Sequence, residues 1–210
     1  MPASAPKPVA NPPPIPPPPA GYWWRTFACL ADIIPLMFLG WALAGLLAGP
    51  DELVARQKAD AWSHRFADQY AKAVTSGDPR ELDALKAMTT KLLAKDNPDL
   101  EAFSAWYAFQ GNVSFVTMLI ALALQEWLLS GRTLGKRIFN LRTIGLPDAE
   151  PPGFLASLLR SAWKAAFFTL PNPFFMLLGI VNFHVPLFRR DKRSWHDLWT
   201  RTQVVDSKHS

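Results

Sequence analysis

Apolar positions concentrate in three blocks, residues 27–48, 113–129 and 162–188, and the segments between them are charged. A helix needs roughly 20 apolar residues to cross a bilayer, which the first block exceeds and the second nearly meets. Residues 51–112 lie between those two spans and carry helical periodicity instead. Val54, Trp62, Phe66, Tyr70 and Val74 fall mostly at three- or four-residue steps, a single apolar stripe. Ser76-Gly77-Asp78-Pro79 then ends one helix and starts the next. Asp78 is placed to cap, Pro79 to occupy the first helical position, and Glu81 to complete a capping box. Asn97-Pro98 repeats the signal ahead of Leu100, Phe103, Trp106 and Tyr107. The pattern predicts a three-helix extramembrane insertion.

Beyond the second span, residues 138–144 alternate, with Phe139 and Leu141 against Asn140 and Arg142, and read as a short strand. Residues 202–205 read as another, and 147–153 as a loop. The third apolar stretch, taken over 160–188, is interrupted by Pro171-Asn172-Pro173, which argues against one straight helix. Residues 1–20 are low-complexity, with Pro12–Pro14 and Pro16–Pro19 as their core. Such a run is expected to be an extended polyproline II tail, either a docking peptide for a protein ligand or a solvated spacer. The domain division expected is therefore a disordered tail, 1–20, and a membrane domain, 21–210, containing the insertion. The fold class is all-α membrane protein, with a short two-stranded ribbon where the strand candidates pair.

Basic residues orient the spans. Arg25 precedes the first, and Arg132, Lys136, Arg137 and Arg142 follow the second, so both flanks belong on the cytoplasmic side and the insertion on the other. The third block has Arg160 and Lys164 at one end and Arg189, Arg190, Lys192 and Arg193 at the other. A single crossing would send the second cluster outward. A re-entrant or interfacial hairpin turning at Pro171–Pro173 keeps both clusters inside, with a single span as the alternative.

Net charge of +5 and mean hydropathy of +0.04 average over this pattern. The basic clusters abut apolar blocks, so anionic lipid headgroups, not nucleic acid, are the expected partner. Cys29, the single cysteine, permits no intrachain disulfide. The N-terminus lacks the early apolar core of a signal peptide, so the first block is expected to stay as an anchor, with Trp23 and Trp24 at the interface.

The candidate chemistry is acidic. Asp32 lies inside the first block and Glu126 near the end of the second. A charge at the bilayer centre costs about 2.5–3.5 kcal/mol on insertion scales, so each needs a partner. At 1.5 Å per residue, Asp32 is roughly 7 Å inside the cytoplasmic end of its span. Glu126 reaches a similar depth, and Arg25, Arg160 and Lys164 are near the same boundary. Two readings stand: paired carboxylates exchanging a proton for a cation, or an ion-pair network pinning helices together. Arg25 and Asp32, seven apart on one helical face, could pair with each other. His64, His184, His196 and His209 show no metal-ligand spacing, so neither metal nor cofactor is expected. His196 and Asp197 are adjacent and expected to point apart. Gly131–Arg137 lacks the spacing of a phosphate-binding loop, and no nucleophile–base order suggests an enzyme.

Arg25 and Asp32, an acidic residue closing the second span, Thr133-Leu134-Gly135-Lys136 and His196-Asp197-Leu198 with Thr202-x-Val204-Val205 together resemble the RDD family of bacterial membrane proteins. The resemblance covers about residues 21–206 and maps the family's arginine and two aspartates to Arg25, Asp32 and Asp197. The long insertion and the proline-rich tail depart from the family pattern. The resemblance implies a multi-pass protein of the bacterial inner membrane and little about activity; with the basic-residue argument, the N-terminus is expected to be cytoplasmic and the insertion periplasmic. Cation/proton exchange has been proposed for some members. The expectation is a non-enzymatic scaffold or accessory protein that binds partner proteins or lipid through a cytoplasmic-side polar cluster. The alternative is a small cation/proton exchanger using Asp32 and Glu126, acting as a homo-oligomer because so few spans can hardly enclose a pathway alone.

Overall fold

A computed structural model describes residues 17–94, 97–170 and 172–207. The chain is mostly helical, in the order α1 (Tyr22–Leu47), α2 (Pro50–Ser76), α3 (Pro79–Leu92), α4 (Pro98–Leu128), α5 (Leu134–Ile138), β1 (Leu141–Gly145), α6 (Phe154–Thr169), α7 (Pro173–Phe188), α8 (Trp195–Trp199) and β2 (Thr202–Asp206). Most of the proline-rich tail, residues 1–16, lies outside the described residues, as do Pro171 and His209.

Two helices, α1 and α4, are long and apolar enough to cross a membrane. Their large side chains point outward: Phe38, Leu46, Val116 and Ile120 are all more than half exposed, at 62%, 80%, 51% and 52%. Apolar surface of that extent on a long helix calls for lipid or protein to cover it. Pro35 sits within α1, which runs on through it.

The second span differs from expectation in one respect. Its helix does not begin at residue 113; α4 runs unbroken for 31 residues, joining the last insertion helix to the span. Gly111 and Asn112 weaken the helix at the junction, and together cost only about 1–2 kcal/mol relative to alanine, too little to end a long helix. Residues 51–112 therefore hold two complete helices, and their third is continuous with the second candidate span.

Contacts divide the chain into two units, each described by itself. One comprises residues 33–121 and 161–180. Here Gly40 of α1 meets Ser114 of α4 so closely that an added Cβ would sit 2.8 Å from the Ser114 Cα. Small residues at one face are what allow two apolar helices this approach. The insertion's apolar stripe appears as a run of stacked rings, Trp62 on Phe66 (5.1 Å) and Phe66 on Tyr70 (6.4 Å), with Phe103 edge-on to Trp62. Asp78 caps α3 by accepting from the Arg80 N–H at 2.8 Å. Glu81 does not complete the box. Its carboxylate accepts from Gln69 of α2 at 2.8 Å, and the Asp78 N–H donates to Ser76 Oγ instead. In the same unit Gly179 of α7 packs against the ring of Phe167 of α6.

The third block is broken where the prolines predicted. Asn172 caps α7, its Oδ1 accepting from the Phe174 N–H at 2.9 Å, and Pro173 is the first residue of the helix. Its first helix starts at Phe154, earlier than the apolar run by itself suggested, because nothing before Arg160 interrupts the helix.

The other unit comprises the described parts of 1–32, 122–160 and 181–210. Its sheet is an antiparallel pair, Leu141 opposite Asp206 through Gly145 opposite Thr202. The chain just before α1 lies along the far edge of β2, Ala20 donating to the Val204 carbonyl at 2.9 Å. Ala20, Ala28, Leu141 and Val204 form a small core with Phe139 against it. The first strand starts later than predicted: residues 134–138 are helical, and Asn140 takes a left-handed φ of 55° before the ladder begins.

Substituting Gly40 by Ala should lower the thermal midpoint of the detergent-solubilised protein by several degrees, since either the Ser114 backbone or α1 must shift. Gly153→Ala, where an added Cβ meets nothing within 4 Å, should leave the midpoint unchanged.

Candidate functional site

The sequence that follows α4 builds one end of a polar site. Thr133 caps α5, its Oγ1 accepting from the Lys136 N–H at 3.3 Å. The same hydroxyl donates to the Asp32 carboxylate, and the Gly135 N–H donates to the other Asp32 oxygen at 2.7 Å. A Cβ at Gly135 would overlap the Ala28 carbonyl and lie 3.0 Å from Asp32 Cγ, so only glycine lets the backbone approach α1 this closely. Leu134 is exposed, and its N–H donates to Gln125 at 3.0 Å. Lys136 turns inward and is buried. Each of the four consecutive residues thus has a distinct task.

Lys136 Nζ donates to Glu126 and, at 2.6 Å, to Thr143 Oγ1, which itself donates to Glu126 at 2.6 Å. Arg160 Nε lies 3.3 Å from both Glu126 oxygens. The far side of the same guanidinium donates to Asp197 and, at 2.5 Å, to Thr202. Arg25 completes the chain, donating to the other Asp197 oxygen at 2.5 Å and to the Lys192 carbonyl. Five charges alternate in one line: Arg25, Asp197, Arg160, Glu126, Lys136. Glu126, Arg160 and Asp197 are at most 1% exposed. Burying a charge costs several kcal/mol unless a partner and further hydrogen bonds compensate it, and here both are present.

Burial by itself would push the Asp197 carboxyl up. The guanidinium groups of Arg160 and Arg25, with His196 and the Ser194 hydroxyl, outweigh it and hold Asp197 well below the usual carboxylate range. Ser194 contributes as the start of α8, donating from Oγ at 2.7 Å and from its N–H at 3.0 Å to Asp197. Beside it, the Trp195 N–H donates to Asn182 Oδ1 at 2.8 Å, which turns the amide Nδ2 toward His196 Nδ1 at 3.0 Å. The other ring nitrogen, Nε2, faces Ser194 Oγ at 3.2 Å and Asp197 at 3.6 Å.

Several expectations need correction. Arg25 does not pair with Asp32, although both are on α1; it reaches Asp197, and Asp32 is held by the α5 start. Lys164 is not part of the cluster. It lies one turn beyond Arg160, half-buried in the other unit, and makes no ion pair among the described residues. Of the carboxylates it was expected to serve, Glu126 is held by Lys136 and Arg160, and Asp32 by Thr133 and the Gly135 N–H. Asp32 and Glu126 each have their own partners, so the two do not share a proton-holding pair of the kind envisaged. His196 and Asp197 do not point apart: the short helix α8 turns both into one network.

Thr143, Asn182, Ser194 and Thr202 were missed. Asn182 could have been suspected as a polar residue in an apolar run, and Ser194-x-x-Asp197 has the spacing of a capping box. Thr143 and Thr202 carry no local signal. Among the described residues no group of three His, Cys, Asp or Glu side chains is placed to hold a metal ion.

Gly135→Ala should destabilise the protein by about 2 kcal/mol or more, within the range for overpacked sites, read as a lower thermal midpoint. Asp197→Asn should cost about 3–5 kcal/mol at neutral pH, because it leaves buried guanidinium groups uncompensated. With a depressed folded pKa, the Asp197 contribution is fully present above the unfolded value near 3.9 and is lost as pH falls below it. Thermal unfolding across pH 7 to 2.5 should therefore show the gap between wild type and Asp197→Asn constant down to about pH 4 and closing below it.

No curated protein and no solved structure matches this chain. The profile of the RDD family matches residues 19–201, a span that holds Arg25, Asp32, the Thr133–Lys136 turn and Asp197. With most of its length matched and two helices fit to cross a membrane, the chain belongs to the RDD family.

Proposed function

We propose that this protein is a non-enzymatic scaffold or accessory protein of the bacterial inner membrane, binding partner proteins or lipid around its cytoplasmic-side polar cluster. The observation that carries the reading is charge closure. Glu126 and Asp197 are both already neutralised by fixed cations, Lys136, Arg160 and Arg25. A carboxylate so compensated holds structure together and has little affinity left for a travelling ion. Of the basic run 189–193, Arg190 and Lys192 are left to meet anionic headgroups, since Arg189 pairs with Asp191 and Arg193 donates to the Thr202 and Asp197 carbonyls. The N-terminus is cytoplasmic and the 51–112 insertion periplasmic on the positive-inside argument. A hairpin for residues 160–188 is supported by two contacts of one unit: Arg160 and Asn182, near the block's two ends, both join the network around α8. The proline-rich tail is a candidate peptide for a protein ligand.

One observation favours the second reading, a cation/proton exchanger working as a homo-oligomer. Asp32 is buried and, among the described residues, has a hydroxyl and a backbone N–H for partners but no cation. Exchange, if it occurs, runs through Asp32 and leaves Glu126 as a structural group.

The test is a proteoliposome assay with an internal pH dye, pulsed with sodium and then potassium. Wild-type protein should give a flat trace, and Asp32→Asn should lower the thermal midpoint and accumulation. Cation-driven proton movement that disappears in a folded, inserted Asp32→Asn protein would replace the scaffold with the exchanger.

A further inference from the structure

The unit formed by residues 33–121 and 161–180 contains a cavity of about 530 Å³, remote in sequence from the family motifs. Its wall is polar on one side and apolar on the other. Arg56 and Asp60 of α2 and Ser114 of α4 provide the polar part, and Met37 and Trp41 of α1 with Phe168 of α6 the apolar part.

The polar groups are under-used. The Arg56 guanidinium lies over the Trp106 ring, 5.4 Å from its centroid, and its Nε is 3.6 Å from Asp60, beyond hydrogen-bond range. Stacked in this way, the guanidinium is held in place with its donors free for an oxyanion. Ser114 lines the cavity as well, with its Oγ closed off against Gly40 of α1. Arg56 and Asp60 are the charged residues of the wall, one of each sign. The site therefore favours a headgroup carrying both signs over a simple anion. Met37 and Trp41 belong to a helix fit to span a membrane, so an acyl chain leaving the cavity meets apolar surface directly.

We propose that this cavity binds one phospholipid with a zwitterionic headgroup. The phosphodiester takes the Arg56 donors. The ammonium takes Asp60 and the aromatic face of Trp41, in the manner of a cation over a ring. Met37 and Phe168 receive the start of the acyl chains. The proposal rests on the protein being a membrane protein and is independent of whether it is a scaffold or an exchanger.

Native mass spectrometry of delipidated protein in detergent tests it, with phosphatidylethanolamine, phosphatidylglycerol and soluble phosphoethanolamine as probes. One phosphatidylethanolamine should be retained in preference to phosphatidylglycerol. Loss of a charge-assisted pair is worth about a tenfold change in affinity, which is the drop expected for Arg56→Gln. Asp60→Asn should bring phosphatidylglycerol level with or above phosphatidylethanolamine. Both side chains are about half exposed, 47% and 59%, so neither substitution opens a hole in the core, and Arg56→Gln gives up its stacking on Trp106 together with its charge. Phosphatidylethanolamine retention indifferent to both substitutions would overturn the site. A wild-type preference for phosphatidylglycerol would overturn the zwitterion, and phosphoethanolamine binding as tightly as the lipid would make the ligand a soluble phosphate ester.

Discussion

Arg160 is fully buried between two carboxylates, Glu126 from the end of α4 and Asp197 from α8, and much of the polar architecture follows from that placement. A guanidinium cannot shed its proton, so its burial is tolerable only where its donors are met by acceptors of opposite charge. Those acceptors come from segments 34 and 37 residues away along the chain. One guanidinium cannot neutralise two carboxylates, and each has a second cation, Lys136 for Glu126 and Arg25 for Asp197. The line of charges therefore ties together the start of α1, the end of α4, α5, α6 and α8. Hydrophobic packing could not do this in the same place, because the core of that unit is small: Ala20, Ala28, Leu141 and Val204, with Phe139 beside them.

The turn after α4 shows how short a segment can serve several constraints. Thr133 caps its own helix and donates to Asp32, Gly135 brings backbone against α1, and Lys136 enters the network. A site assembled from backbone N–H groups and side chains within four residues is rigid because few torsions separate its members. Asp32 and Glu126 are thereby served by one turn while having different surroundings, one neutral donors and the other fixed cations. That difference in partners separates the two functional readings more sharply than the mere presence of two carboxylates does.

The other unit follows a different logic. There the chain relies on close helix approach at Gly40 and on aromatic stacking along α2, with polar groups at the wall of a cavity instead of in a closed network.

Sequence by itself determined the class of the protein. Long apolar runs, the helix breaks at Asp78-Pro79 and Asn97-Pro98, the proline interruption of the third block and the Thr133–Lys136 turn are local signals, because each depends on the conformational limits of residues a few positions apart. The continuity of α4 is not visible in the same way: the apolar block starts at Val113, but a change from amphipathic to uniformly apolar sequence does not interrupt a helix. Pairing was decided by tertiary structure alone. Nothing in the chain states that Arg25 should meet Asp197 and not Asp32, that Lys164 should be left out, or that Thr143 and Thr202 should join the charges. A buried charge selects whichever opposite charge the packed backbone brings within reach, and that reach spans up to 172 residues of sequence here.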